Sequence, residues 1–343
     1  MWDVVIAAFS LPPRAARRNR SSLPVPRRLD YSRRIATTAK NSASTVVAQV
    51  FGATALVWDS QSLREAVLAN RLKAEADKSR SNALAVGDEV SLEDEGASLP
   101  TIVSIAPRRT QLERAATGSQ GRILMQVIAA NAEQAMIVSS LADPPFRPGL
   151  VDRWTLLALR GGMDPALCVN KVDLGSEAEA AAEVEKGKIP LEPVYVSAET
   201  GHGLDALRAR LKGRMTVLVG HSGVGKSSLL RRLVPNCDAL VAEVSEKTRK
   251  GRHTTTSSRL YPLPGGGLLI DTPGVRSVLL GPTEPAEVAG VFSEIAHAPA
   301  CRFRPCTHRV EPGCSVLQGL EDGTVPREVY TRYRKLLEEA GLP

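Results

Sequence analysis

The sequence predicts a multidomain α/β chain: a small amino-terminal β-barrel, a doubly wound parallel sheet around a phosphate loop, and a carboxy-terminal metal-ligand cluster. Three observations carry this. A β-branched apolar run at residues 216–219 breaks into Gly220-x-x-x-x-Gly225-Lys226-Ser227 and resumes with helical spacing from Ser228. Strand-like and helix-like stretches alternate from residue 126 to that loop, as in parallel-sheet folds. Cys301, Cys306, His308 and Cys314 crowd into fourteen residues.

At 343 residues the chain is long enough for two or three domains with a sizeable core. No apolar run approaches the length of a membrane span, so no membrane partner is expected. The apolar opening residues lack a preceding basic segment, which argues against a signal peptide. Residues 1–40 carry nine basic groups against two acidic ones, so the whole net charge of +7 lies there. With Pro12, Pro13, Pro24 and Pro26 added, residues 1–42 read as a disordered basic arm, either a solvated tail or an electrostatic arm for RNA phosphates.

Residues 45–51 and 54–58 read as a hairpin broken at Gly52, 86–90 as a turn entering a strand, and 100–105 as a further strand. Such density suggests a small barrel, the oligonucleotide-binding (OB) barrel being one candidate. Residues 63–76 have helical spacing through Leu63, Val67, Leu68 and Leu72, yet 66–70 also reads as strand, and periodicity alone leaves both open. Phe51 and Trp58 are too few aromatics to demonstrate a base-stacking platform. Residues 108–122 are polar and charged, the texture of a linker. Beyond them, strands are expected at 126–129, 134–140, 166–170 and 194–197, and helices at 150–160, 176–186 and 204–211.

In the loop Gly220, His221, Ser222, Gly223, Val224, Gly225, the glycines let backbone N–H groups turn toward phosphate oxygens. Lys226 would reach the β- and γ-phosphates, and the Ser227 hydroxyl, followed by Ser228, would meet Mg²⁺. Asp271-Thr-Pro-Gly274 follows an apolar run, placing Asp271 to hold Mg²⁺ through a water and Gly274 N–H to sense the γ-phosphate. Asn170-Lys171-Val172-Asp173 ends a strand and suits guanine: Asp173 accepts from ring N1–H and exocyclic N2–H, a donor pair adenine lacks. Asn170 would meet the other base edge and Lys171 cover the ring. Ser197-Ala198 ends the next strand, offering Ala198 N–H to guanine O6. The polar stretch 247–258 has a switch loop's composition, with Thr254 and Thr255 able to complete Mg²⁺ coordination. The base-reading motifs precede the phosphate loop, so the sheet is circularly permuted, and the chain leaves it just after the Asp271 switch. That continuity suggests a relay from the switch to the carboxy-terminal segment.

Cys301-x4-Cys306-x-His308-x5-Cys314 matches a closed tetrahedral, structural Zn²⁺ site, with Arg302, Arg304 and Arg309 making a basic knob. Cys168 and Cys237 are assigned to core packing. A terminal helix at 326–340 carries Arg327, Arg332, Arg334 and Lys335, read as a solvated face or an extension of a phosphate-binding surface. A metabolite kinase would leave Asn170, Asp173, Ala198 and the zinc ligands unexplained. An RNA-binding module with a vestigial nucleotide site would leave Lys226, Ser227 and Asp271 unexplained.

Together these motifs, with Ile128-Ala-Ala-Asn131, the stretch 138–146 and Gly251-Arg-His-Thr-Thr-Thr256, closely resemble the ribosome small-subunit-dependent GTPase A (RsgA) family over residues 44–340. The resemblance implies an OB-fold domain at 43–110, a circularly permuted GTPase domain at 111–280 and a zinc-binding domain with its terminal helix at 281–343. It favours the barrel reading of residues 63–76. It implies GTP and GDP, Mg²⁺ and one structural Zn²⁺ as ligands. The implied partner is the small ribosomal subunit with its 16S rRNA, bound late in maturation. Hydrolysis would be stimulated by that particle and would drive release of an assembly factor or of the protein itself. A cytoplasmic monomer is expected. Val275 stands where many GTPases carry a water-orienting glutamine; valine cannot bind water, so slow intrinsic turnover is expected, with His253 or the ribosome supplying the catalytic group.

Overall fold

A computed structural model of the chain describes residues 45–59, 62–74, 82–94, 96, 99–117, 123–235, 237, 258–273 and 278–342. The expectations for residues 1–42, His253, Thr254, Thr255, Gly274 and Val275 lie outside the described residues.

Five strands, β1 (Thr45–Phe51), β2 (Thr54–Trp58), β3 (Leu63–Leu68), β4 (Glu89–Glu93) and β5 (Thr101–Ile105), close in the order β1-β2-β3-β5-β4 and back to β1. Only the β3–β5 ladder is parallel. Val47, Ala55, Val57, Ala66, Leu68 and Ile102 fill the interior. The ambiguous stretch divides: Ala66 and Leu68 point inward with strand period, and α1 (Asn70–Ala74) then packs Leu72 against the same core.

The expected linker is instead a strand. β6 (Gln111–Thr117) pairs antiparallel with β7 (Ile123–Ala130). Its buried residues, Leu112 and Ala115, stand three apart, which hides the strand period; a register shift between Leu112 and Glu113 sets both inward. The barrel meets this hairpin at Asn131, which accepts from Arg109 N–H (2.9 Å) and donates to Gly87 O (3.0 Å). Gly87 must be glycine: φ is 92° and a Cβ would lie 2.0 Å from Ala130 O. Beside it, fully buried Asp88 accepts from Arg108 Nε (2.7 Å), Arg108 Nη2 (2.9 Å) and Ala85 N–H (2.7 Å).

The second domain alternates β8 (Gln134–Ser140), α2 (Pro148–Arg160), β9 (Asp164–Asn170), α3 (Glu177–Lys186), β10 (Pro193–Tyr195), α4 (Leu204–Leu211), β11 (Met215–Val219), α5 (Lys226–Leu233), β12 (Arg259–Pro262) and β13 (Leu268–Asp271). The order is β10-β9-β8-β11-β13-β12, parallel except for β12, which returns antiparallel on β13. Helices cover both faces, so the strands read as unbroken apolar runs. Ile137, Leu167 and Val217 belong to the core that includes Trp154 of α2, while Met136, Val138 and Leu218 join Leu207 of α4 and Leu229 of α5. Cys168 and Cys237 are buried, as expected. β12 also pairs with β1 at Gln49 and Arg259, so barrel and nucleotide-type sheet form one eleven-stranded sheet.

The chain leaves β13 under restraint. Leu279 O accepts from Ala115 N–H (3.0 Å), while Arg160 of α2 donates to Leu280 O and Thr283 Oγ1, each at 2.7 Å. Then come α6 (Pro285–Ala289), α7 (Ser293–Ala296), α8 (Ser315–Asp322) and α9 (Arg327–Glu339). Arg332 on α9 is not a solvated charge. It donates to buried Asp152 of α2 (2.8 Å) and to Gly187 O, with its guanidinium 5.6 Å from the Phe292 ring centre. The terminal helix thus docks on the sheet domain, with Tyr333 fully buried edge-on to Phe292. Among the described residues, no helix is long and apolar enough to cross a membrane.

Candidate nucleotide site and metal centre

The parallel strands end together, with Ser140 opposite Asn170, Ile137 opposite Val219 and Leu218 opposite Asp271. The phosphate loop emerges from the middle of that edge. Gly220 has φ 145° and a Cβ there would lie 2.2 Å from Val138 O; Gly225 has φ 92° and its Cβ would lie 2.2 Å from Asn170 Nδ2. Neither position admits a side chain.

Asn170 is buried and bridges two loops. Its Nδ2 donates to Val224 O (2.9 Å), and its Oδ1 accepts from Ala198 N–H (3.0 Å). The two groups expected on the base therefore hold each other, and one further amide hydrogen of Asn170 remains for a ligand. Ser197 is buried, its Oγ accepting from Thr200 N–H (3.0 Å). Lys171 adopts a left-handed conformation (φ 62°) and donates to Asp143 O, while Asp173 is exposed on the short 3-10 turn Val172–Leu174. Arg232 on α5 donates to Ala198 O (2.7 Å) and Glu199 O, fixing the second loop from behind.

Lys226 lies back across its own loop, Nζ donating to Gly220 O (2.8 Å) and His221 O (3.0 Å). Burial lowers its pKa to about 8, against the opposing pull of Asp271. Burial likewise raises Asp271 to about 6, opposed by Lys226 and by Thr272 N–H. Among the described residues Asp271 Oδ1 is buried with no hydrogen-bond partner, an orphan acceptor that a cation would relieve. That oxygen and the exposed Ser227 hydroxyl are hard donors, the type Mg²⁺ takes. Ser222, Gly223 and Ser228 are exposed, Val224 is buried, and half-exposed His221 turns Nδ1 to Ser222 O (2.7 Å).

The second centre is Cys301, Cys306, His308 and Cys314, whose ligand atoms all lie within 4.8 Å of one another. Cys301 and Cys314 Sγ are 3.9 Å apart, with His308 Nδ1 3.5 and 3.3 Å from them. A tetrahedron with ~2.3 Å Zn–S bonds has edges of about 3.8 Å, so the four donors fit Zn²⁺. Burial opposes ionisation of Cys301, but hydrogen bonding by Ser315 Oγ (3.2 Å) and N–H brings its pKa below the usual thiol value; burial lowers the pKa of His308 against the opposing pull of Glu311, favouring the neutral, ligating form. Glu311, which sequence reading missed, holds the ligand loop. It accepts from Thr307 N–H (2.5 Å), Thr307 Oγ1 (2.7 Å), Arg309 N–H (2.8 Å) and Val310 N–H (3.1 Å). Tyr330 and Tyr333 hydroxyls donate to His308 O (2.8 Å) and Thr307 O (3.0 Å). No spacing rule marks Glu311; the only signal was a lone carboxylate among basic residues.

Residues 105–280 match the family model described as RsgA GTPase. The chain is 39% identical over 303 residues to the small ribosomal subunit biogenesis GTPase RsgA of Gemmatimonas aurantiaca, covering 87% of this chain and 97% of that one. Its counterpart from Chlorobaculum parvum is 37% identical over 305 residues, covering 86% and 97%. Among solved structures, YjeQ from Thermotoga maritima is similar with a TM-score of 0.66 at 25% identity, covering 87% of this chain and 98% of that one. YloQ, a circularly permuted GTPase, shares the fold with a TM-score of 0.61 at 24% identity, covering 89% and 97%.

Proposed function

The chain belongs to the RsgA GTPase family and is a GTP hydrolase, and from that premise we propose that it acts in small ribosomal subunit biogenesis, binding that particle and its 16S rRNA. The observation that carries the nucleotide assignment is the Asn170 bridge, which ties the two base-reading loops to the phosphate loop. The residues then divide the work on GTP. Loop amides from 220 to 228 and Lys226 hold the phosphates, and Lys226 leaves two carbonyls to do so. Asp173 pairs with guanine N1–H and N2–H, Lys171 covers the ring, and the rigid Ser197–Ala198 loop sets the O6 side. Ser227 and Asp271, with Thr254 or Thr255, would hold Mg²⁺, which would supply positive charge to the phosphates when bound.

Val275 orients no water, so turnover waits on the particle, with His253 as this chain's candidate group and Gly274 as the γ-phosphate sensor. Hydrolysis then releases an assembly factor or the protein itself. The protein works as a cytoplasmic monomer, with its zinc segment turned to rRNA. Single-turnover GTP hydrolysis with and without small subunits tests this reading. A marked acceleration is expected, with GTP but not ATP competing for the site. An unchanged rate on adding small subunits overturns it.

A further inference from the structure

Between zinc ligands Cys301 and Cys306 the chain reads Arg302-Phe303-Arg304-Pro305, and Phe303 is 47% exposed. Both ends of this short loop belong to the ligand cluster, so the ring is presented to solvent at a fixed place. The Arg302 guanidinium lies 5.3 Å from the ring centre, and its stem packs at Gly313, where a Cβ would approach Arg302 Cβ to 3.2 Å. Arg302 and Arg304 are exposed and Arg309 half-buried, and among the described residues none of the three has a carboxylate partner. The nearby carboxylate, Glu311, is taken up by the loop's own amides. Val310, on the same ligand-bearing segment, is 86% exposed.

We propose that this tip is a stacking site for one unpaired RNA base: Phe303 takes the base face, and Arg302, Arg304 and Arg309 take the flanking phosphates. One ring among unpaired guanidiniums suits a polyanion that also carries π faces. A protein groove would need more apolar area, and a duplex keeps its bases covered. The proposal rests on the reading that this protein binds ribosomal RNA, and it names the chemical feature recognised.

The test uses the full-length, zinc-loaded chain and a fluorescein-labelled single-stranded RNA of about 12 nucleotides, read by anisotropy. F303A should lose about tenfold in affinity, and F303W should restore it. R304A should flatten the salt dependence by about 0.7 in log–log slope. A duplex of the same sequence should bind F303A and the original chain alike. Zinc content and intrinsic GTP turnover should be unchanged in F303A, because the ring is outside both sites. Equal single-strand binding by F303A and the original chain overturns the proposal, as does Phe303-dependent binding to phosphatidylglycerol vesicles that exceeds binding to RNA. Failure of the original chain to sediment with small subunits, while single-strand binding still depends on Phe303, would sink the ribosomal reading alone.

Discussion

Asn170 Nδ2 donates to Val224 O at 2.9 Å, so a side chain at the end of β9 holds the phosphate loop between Gly223 and Gly225. With Oδ1 also taken by Ala198 N–H, Asn170 is a structural keystone before any nucleotide arrives.

Asn170→Ala should therefore lower stability even without ligand. It strands a buried carbonyl and a buried N–H, each worth about 1–3 kcal/mol when unsatisfied. Thermal melts of the nucleotide-free protein check this: an unchanged midpoint would mean Asn170 serves only the base.

Gly225→Ala places a Cβ 2.2 Å from Asn170 Nδ2 in a left-handed backbone. The left-handed penalty alone is about 1–2 kcal/mol. GDP affinity, measured with a fluorescent analogue, should fall at least tenfold, and combining the variant with Asn170→Ala should cost less than the sum of the two.

Asp152 contributes, alongside Asp271, to the pH dependence of stability. Burial, opposed by Arg332, raises its carboxyl to about 6, above its unfolded value near 4. Between about pH 4 and 6 the folded chain holds a proton that the unfolded chain has released. This group's contribution to stability thus falls as pH rises through that window and is level above it. Asp152→Asn should remove that slope, read as the pH trend of the difference in denaturation midpoint between variant and original chain.

Arg160→Ala frees Leu280 O and Thr283 Oγ1. Hydrogen exchange should rise around residues 278–283 while intrinsic GTP turnover stays near its original rate. A direct pull from the switch on the zinc segment would have to pass this clamp, so its removal should alter stimulation by small subunits if that relay operates.

Zinc removal should unfold the 301–314 loop and loosen Tyr333, whose hydroxyl is held by Thr307 O. Near-ultraviolet circular dichroism should report that loss, with nucleotide binding retained.

Much of this was legible because function left short, chemically constrained words: a glycine–lysine–serine loop, Asn170 to Asp173, three thiols and an imidazole. Their permuted order was readable too. What was not readable had its partner far along the chain. β6 hid behind a register shift that breaks strand period between Leu112 and Glu113. Arg332 looked like any helix-surface cation, because its partner Asp152 lies 180 residues away. Ala198 N–H was assigned to a base because local sequence cannot show that Asn170 already accepts it.

Among the described residues, the one paired position between β1 and β12, Gln49 with Arg259, couples the barrel to the second sheet. Along the sheet β3 stands three inter-strand spacings of ~4.8 Å from β12, about 14 Å of contour that the barrel's curvature shortens. A rotation of about 10° in β12, at the exit of residues 247–258, would sweep the barrel's far wall by roughly 2 Å. A small change at β12 would thus be enlarged at the barrel's outer strands, because the two domains meet through a backbone pairing as well as through the chain that links them.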